Sequence, residues 1–310
     1  MLDLLGVVLS VDFVFASVRL ASPLLLAAMG GLFSERAGVL SLGLEGMMLT
    51  GTLAAFLGSY YTGSPWVGLA IAMVCGGLMS LLYALACVTF RANQVVAAVG
   101  FNILALGATG LAFRRAFGIT DKLHKAASFQ PTPIPYLADL PVVGPMFFRH
   151  LPLVYVAFLL LPVVLFVLYR TTWGLKLRSV GENPLAADTL GVKVQAMRYA
   201  GIVICGVLAA AGGSLLSIGF ISTFMEEMTA GRGFIAFAAI IFGKWTPVGA
   251  FLAALLFGAA DALQLRVQAL GINIPYQIML LFPYLLTLCA LVLVGKSQSP
   301  AALGQPYDKT

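Results

Sequence analysis

Residues 30–49 read GGLFSERAGVLSLGLEGMML, a stretch in which charged side chains interrupt two strongly apolar runs. Ser34, Glu35 and Arg36 separate the two runs, and one further carboxylate, Glu45, follows inside the second run. A carboxylate is stable in apolar surroundings only when it is paired or hydrogen-bonded. We therefore expect Ser34, Glu35 and Arg36 to form a solvated turn between two membrane spans, and Glu45 to lie within the second span.

The composition of the chain is that of a membrane protein. Of the 310 residues, 61% are hydrophobic and 10% are charged, and the mean hydropathy is +1.00. A soluble domain carries about 25% charged residues. The longest polar stretch, 114–150, is too short to bury a core of its own. A single transmembrane domain over 1–310 is therefore predicted. The net charge of +6 is spread singly over loops, which does not indicate a nucleic-acid partner.

Eight apolar runs are long enough to cross a bilayer, for which a helix needs about 20 residues. These runs are 13–32, 37–58, 66–90, 93–113, 151–169, 199–220, 248–268 and 275–294. A ninth apolar run, 233–243, is shorter and bounded by glycines, which is typical of half-helices beside a transport path. The sequence thus predicts an all-α polytopic membrane protein with eight or nine membrane segments.

Loop charge predicts the orientation of these segments. Residues 170–198 carry five basic side chains and are expected to be cytoplasmic. Counting spans outward then puts the N-terminus outside and the C-terminus in the cytoplasm. The loop 114–150 becomes external, although it is also basic.

Two segments resemble each other and indicate an internal repeat. SPWVGLAIAMVCGGLMS (64–80) and TPVGAFLAALLFGAADA (246–262) both place a proline just before Val-Gly and an apolar run. In the expected topology the two prolines lie on opposite sides of the membrane, as in an inverted repeat with the transport path between its halves. The alternative is that such openings are simply common at helix starts.

Polar side chains within or beside apolar spans are the candidates for a transport path, because ionisable groups in a membrane are usually functional. With one aromatic neighbour, the candidates are Glu45, Asn93, Phe101, Asn102, Glu226 and Asp261. Four of them also have a structural alternative. Glu45 can accept hydrogen bonds from the backbone N–H groups of a broken helix, Asp261 can pair with Arg266 or cap a neighbour, and Phe101 and Asn102 can pack between helices. Catalytic and metal-binding motifs are absent from the sequence, so we expect a chain that is not an enzyme.

The loop sequence GENPLAADTLGV (181–192) contains the signals of a short helix. Asn183 can cap it, and Pro184 suits its first turn. A short helix on the basic side of the membrane is suited to docking on a cytosolic partner, and the alternative is an ordinary interfacial loop. The candidate coupling residues are Gly181, Glu182, Asn183, Pro184, Leu185, Ala186, Ala187 and Gly191.

Three stretches resemble the permease subunits of bacterial ABC importers for branched-chain amino acids and simple sugars, and most of all the nucleoside (Bmp-type) branch of that family. They are SERAGVLSLGLEGMMLTGTLAAF (34–56), GENPLAADTLGV (181–192) and GRGFIAFAAIIFGKWTPVGAFLAALLFGAADAL (231–263). The resemblance implies a type II importer transmembrane domain in the bacterial cytoplasmic (inner) membrane, with 181–192 as the coupling helix in a cleft of the ATPase. One departure is Ser41-Leu42, where the family usually carries an asparagine.

The same resemblance implies the partners of the chain. They are a second, non-identical permease, a cytoplasmic ATPase that holds ATP and magnesium, an external substrate-binding (lipo)protein and membrane lipid. The chain itself is expected to bind no cofactor and to carry nucleosides. Alternatives are an importer of sugars or other small polar solutes, an ion-coupled secondary transporter that uses Glu45 and Asp261, and a membrane scaffold. The coupling loop separates these alternatives, because a secondary transporter needs no ATPase-docking helix.

Overall fold

A computed structural model of the protein describes residues 10–118, 124–139, 143–269 and 299–308, and within these ranges the regular structure is entirely helical. The helices are α1 Val11–Arg36, α2 Leu44–Thr62, α3 Pro65–Ala84, α4 Gln94–Phe117, α5 Val143–Phe147, α6 Pro152–Arg170, α7 Thr172–Glu182, α8 Pro184–Thr189, α9 Val194–Ser214, α10 Arg232–Phe242 and α11 Pro247–Ala269. Two π-helical turns, Leu85–Thr89 and Leu215–Ile221, extend α3 and α9.

Six helices of the described chain are long and apolar enough to cross a membrane. They are Val11–Arg36, Pro65–Thr89, Gln94–Phe117, Pro152–Arg170, Val194–Ile221 and Pro247–Ala269. Six of the predicted spans are thereby confirmed as apolar helices, and the predicted span 275–294 lies outside the described residues. The short apolar run 233–243 is also helical, as the 11-residue helix α10.

The prediction of one continuous span over 37–58 is wrong at its beginning. Residues 37–43 are not helical, and α2 starts only at Leu44. Gly38 has a φ of 88°, a left-handed conformation that suits glycine and stops α1 from continuing. The residues of this break are mostly buried. Glu45 therefore lies in the first turn of a helix rather than in the middle of one.

The helices α1 and α9 form the centre of the bundle. α1 packs against α9 and α11, α9 also packs against α3, and α2 packs against α3 and α9. In the most apolar 18-residue window of each helix, 78% of residues are buried for α9 but only 22% for α4. α4 and α6 thus lie at the periphery, where their exposed apolar side chains suit contact with lipid or another membrane chain.

Contacts between distant segments show that the loops lie in two groups, one at each end of α9. At the end where α9 begins, the Arg36 and Glu182 side chains are 3.9 Å apart and those of Arg91 and Asp308 are 2.7 Å apart. At the other end, the loop 124–139 packs on the end of α9, with the N–H of Phe129 donating to the carbonyl of Ile218 over 3.0 Å. The C-terminal segment therefore lies at the same end as the loop 170–198.

Close backbone approach holds α3 against α9. A Cβ atom built on Gly206 of α9 would lie 2.6 Å from the carbonyl oxygen of Gly76 on α3, closer than carbon and oxygen can pack. Small residues allow such contact, and dispersion and packing, rather than a hydrophobic driving force, hold membrane helices together. The glycine at 206 is therefore required by the distance between the two helices.

We predict that Gly206→Ala destabilises the protein by about 1–3 kcal/mol, the usual effect of overpacking a tight interior. The measurement is the thermal unfolding midpoint of the chain purified in detergent. Gly100→Ala is the matched control, since Gly100 lies on the peripheral helix α4 and an added Cβ there meets nothing within 4 Å. Equal midpoints for the two variants would contradict the close packing of α3 on α9.

Candidate functional site

The Glu45 carboxylate binds the N-terminal end of α10. Its Oε1 accepts hydrogen bonds from the N–H of Gly231 (2.9 Å) and the hydroxyl of Thr229 (2.5 Å), and its Oε2 accepts from the N–H of Gly233 (2.7 Å). The first N–H groups of a helix have no partner within the helix, and the helix dipole favours a negative charge beside them. Glu45 on α2 therefore caps α10, the arrangement expected of it as a structural residue.

Asn102 performs a similar function for α2. Its Oδ1 accepts a hydrogen bond from the N–H of Gly46 (2.9 Å), and its Nδ2 donates to the carbonyl of Leu42 (3.0 Å). The amide thus pairs backbone groups on both sides of the start of α2 and ties that helix to α4. The neighbouring Phe101 is buried, with its ring 5.5 Å from that of Tyr83, so it packs between helices.

A cleft of about 430 Å³ opens beside these two caps, lined by α2, α4 and the segment 227–231. A second cleft of about 310 Å³ continues along α4 and shares Leu106 and Glu227 with the first. Pockets for small molecules have volumes of about 300–1,000 Å³. The two clefts form a continuous groove on the peripheral face of α4, and the size of the groove suits a small molecule.

The adjacent acids Glu226 and Glu227 have different surroundings in this groove. Glu226 accepts two hydrogen bonds of 2.7 Å from Arg114, and these bonds lower the pKa of the Glu226 carboxyl. Glu227 lies in a left-handed backbone conformation, with φ of 59°, and lines both clefts. Its carboxylate makes no hydrogen bond or ion pair with any residue that the structure describes. Glu227 is thus an acceptor available to a ligand, whereas the sequence predicts Glu226 as the residue of the transport path.

Two other predicted path residues lie away from the groove. Asn93 caps α4, its Oδ1 accepting from the N–H groups of Val95 and Val96 at the end of α4 opposite Arg114. Asp261 on α11 lines neither cleft and interacts electrostatically with Arg232.

The expected pairing of Asp261 with Arg266 is wrong. The Arg266 guanidinium instead lies 3.6 Å from the carboxylate of Asp12. Asp12 belongs to α1, which packs along α11. The acidic partner of Arg266 therefore comes from a neighbouring helix rather than from its own.

The expectation of a solvated turn at Ser34, Glu35 and Arg36 is also wrong. Glu35 lies in the last turn of α1 and is fully buried. It accepts hydrogen bonds from the hydroxyl of Ser41 (2.6 Å), the N–H of Ser41 (3.2 Å) and the indole N–H of Trp245. The chain folds back over Glu35 immediately after Gly38, so solvent is excluded. Ser41, at the position of the departure from the family pattern, therefore binds Glu35 and does not line the cleft.

The loop 170–198 contains the short helix that its sequence predicts. Asn183 caps α8, its Oδ1 accepting from the N–H of Ala186 (3.0 Å), and Pro184 is the first helical residue. Leu185 projects outward with 58% of its surface exposed, whereas Ala187 is buried. Leu185 of α8 is thus available to a partner, whereas Ala187 packs against the rest of the chain.

Neither of the two histidines lines the groove. The ring of His150 stacks on that of Phe15 with 4.4 Å between the ring centroids, and burial lowers the pKa of His150. His124 packs against Phe117 at 4.3 Å. Among the residues that the structure describes, no group of three or more His, Cys, Asp or Glu side chains could hold a metal ion.

We predict that Glu45→Ala destabilises the protein by about 1–3 kcal/mol, because the N–H groups of Gly231 and Gly233 lose their acceptor in the interior. Glu45→Gln keeps one acceptor oxygen and is expected to fall between that variant and the unmodified protein. Thermal unfolding in detergent measures the effect. Glu227→Gln serves as the control and is expected to leave the midpoint unchanged. An unchanged midpoint for Glu45→Ala would show that the cap is dispensable.

Comparison with known proteins gives the chain a family. Residues 13–291 match the family described as "Branched-chain amino acid transport system / permease component". The chain is 42% identical to the guanosine ABC transporter permease protein NupQ of Bacillus subtilis over 306 residues, which are 95% of each chain. It is 36% identical to the nucleoside ABC transporter permease protein NupC of Lactococcus lactis, over 99% of this chain and 100% of NupC.

Other relatives widen the range of solutes and subunits. The putative glucose ABC transporter permease protein TsgC13 of Haloferax volcanii is 39% identical over 95% of this chain and 96% of its own. Bacillus subtilis also has the guanosine ABC transporter permease protein NupP, which is 26% identical over 87% of this chain and 77% of NupP. No solved structure matches the chain. With a family match over most of its length, the chain belongs to the permease components of the branched-chain amino acid transport system family.

Proposed function

We propose that this chain forms, with a second and non-identical permease, the path by which an ATP-driven importer carries nucleosides. The chain is a transport subunit and not an enzyme, since its relatives are permease subunits. The names of NupQ and NupC support nucleosides as the substrate class. The existence of both NupP and NupQ in one organism supports a pair of different permeases.

The observation that carries the substrate proposal is the uncommitted carboxylate of Glu227 in the groove. A carboxylate accepts hydrogen bonds through two oxygens, which suits adjacent hydroxyl groups such as those of a ribose. The groove lies on the peripheral face of α4, so the second permease would complete its wall. Glu45 and Asn102 would then hold the groove in shape, and Glu226 would stay paired with Arg114.

The packing of the helices supports an inverted repeat of α1–α3 and α9–α11. α1 packs on α11 as α9 packs on α3, and α1 packs on α10 as α9 packs on α2. α3 and α11 both begin with a proline. In this arrangement α10 is a half-helix that corresponds to α2, and the type II importer domain has eight or nine membrane segments.

Charge supports the sidedness of the importer in a bacterial inner membrane. Arg36, Arg91 and the basic loop 170–198 lie at one end of the bundle, which the positive-inside rule assigns to the cytoplasm. The C-terminus would then be cytoplasmic and the N-terminus external. The loop 114–150 would face an external binding (lipo)protein that delivers the substrate.

ATP hydrolysis belongs, in this proposal, to a cytoplasmic ATPase that docks on α8 and holds ATP and magnesium, so the chain itself binds no cofactor. The ion-coupled alternative finds less support. Both Glu45 oxygens already accept hydrogen bonds, and Asp261 lies outside the groove. A sugar substrate is the second candidate, because TsgC13 is named for glucose and a carboxylate suits sugar hydroxyls equally well.

We predict that Glu227→Gln raises the KM for guanosine uptake by about 10-fold or more, since a hydrogen bond to a charged group contributes about 1.5–3 kcal/mol. The measurement is uptake of labelled guanosine by the importer complex in proteoliposomes, with glucose as the competitor. Glu226→Gln is the matched control and is expected to keep its KM, because that carboxylate faces Arg114. Competition by glucose but not by other nucleosides would favour the sugar alternative.

We predict that Leu185→Asp abolishes docking of the ATPase and lowers uptake by about 10-fold or more, as loss of a buried contact at an interface centre does. Copurification of the ATPase and uptake in proteoliposomes measure these effects. Leu175→Asp on α7 is the control, since Leu175 is equally exposed, at 59%. Undiminished uptake by Leu185→Asp would contradict the docking of the ATPase on α8, and uptake in a strain without the ATPase would overturn the importer proposal.

A further inference from the structure

The C-terminal segment 299–308 returns to the coupling loop and binds its backbone. The N–H of Ala302 donates to the carbonyl of Gly181 over 2.9 Å, and the N–H of Ala301 donates to the carboxylate of Glu182 over 3.3 Å. Gly181 and Glu182 are the last residues of α7, immediately before the cap of α8. The segment thus holds the connection through which α8 joins the rest of the permease.

Tyr307 completes a small hydrophobic cluster beneath α8. The cluster is separate from the main core, and its four buried residues are Val180 of α7, Ala187 of α8, Val194 of α9 and Tyr307. Tyr307 is 7% exposed. α8 has six residues, far fewer than the roughly 12–15 that a helix needs for stability by itself. The inner face of α8 therefore depends on this cluster, in which Tyr307 provides the largest side chain.

The same segment is anchored to the transmembrane helices. The N–H of Gly304 donates to the carbonyl of Gly38 over 3.1 Å, at the break between α1 and α2. The buried guanidinium of Arg198, at the beginning of α9, donates to the carbonyl of Gln305 over 3.0 Å. Asp308 pairs with Arg91, which lies between α3 and α4. The C-terminal segment therefore links α8 to the two central helices and to the start of α4.

We propose that residues 299–308 act as a clasp that transmits movement of α8 to the helices around the groove, an inference that rests on the proposed docking of the ATPase on α8. Direct contact between α8 and the spanning helices is slight, whereas the clasp contacts α7, α9 and the break after α1. Packed side chains and hydrogen-bond networks can carry coupling between distant sites. Tyr307 is thus a positioning residue, and α8 without it would move independently of the groove.

The test is Tyr307→Ala in the full importer complex reconstituted in proteoliposomes. Guanosine taken up per ATP hydrolysed is expected to fall about tenfold, within the range by which residues along a coupling network act. The ATPase is expected to remain bound and to keep hydrolysing ATP. Hydrogen exchange of residues 183–192 is expected to become faster in the variant, because the inner face of α8 has lost its support.

Two control variants separate coupling from folding. Tyr307→Phe keeps the ring in the cluster and is expected to give a higher ratio of uptake to hydrolysis than Tyr307→Ala. Asp308→Asn removes one exposed anchor of the clasp, an ion pair of the kind that contributes little, and is expected to lower the ratio much less than Tyr307→Ala does. If Tyr307→Ala inserts poorly into the membrane, Tyr307→Leu replaces it in the test, because leucine retains apolar volume. Tyr307→Leu is expected to give a smaller loss of coupling.

The outcomes distinguish the clasp from the proposal on which it rests. Normal coupling and unchanged exchange in Tyr307→Ala, together with loss of ATPase docking and of uptake in Leu185→Asp, would overturn the clasp and leave the docking of α8 intact. Normal transport in both variants would overturn the docking of α8 as well. Uncoupling in Tyr307→Ala with the ATPase still bound would support the clasp.

Discussion

The requirement that every backbone polar group in an apolar surrounding has a partner determines much of this structure. The chain starts two helices, α2 and α10, within the bundle, and each start leaves N–H groups that cannot bond within the helix. Glu45 accepts from those of α10, and Asn102 accepts from one of α2. Glu45 and Asn102, polar side chains in an apolar sequence, are therefore the groups that stabilise the starts of these helices.

The same requirement separates structural from available polar groups in the groove. Glu45, Asn102 and Glu226 are each bound by donors of the protein, so a ligand would have to compete with those donors. Glu227 has no such donor among the described residues and is therefore the acceptor that a solute can reach. The left-handed backbone conformation of Glu227 agrees with the proposed binding role, because strained residues concentrate at functional positions. Among the described residues, capped helix ends thus lie beside a carboxylate to which the protein donates no hydrogen bond.

The two ends of the bundle are built differently. At one end, the loop 124–139 closes over the end of α9. At the other, α8 presents Leu185 outward while the C-terminal segment and Tyr307 support its inner face. The break between α1 and α2 links the C-terminal segment to the groove. Gly38 contacts the C-terminal segment, and Glu45 caps α10 beside the groove only a few residues later. In the proposed clasp, a displacement of α8 would reach the wall of the groove through this break.

The sequence by itself determined the membrane class, six apolar spanning helices, the short helix α10, and the cap and first turn of α8, because composition and near-neighbour spacing decide each of these. Only the tertiary structure decided that Glu35 is buried, that 37–43 is a break, and that Arg266 pairs with Asp12. It also decided that Arg114 binds Glu226 and not Glu227 among the described residues. The physical reason is separation along the chain: Glu45 and Gly231 are 186 residues apart, and no local pattern records which distant N–H groups a carboxylate will bind.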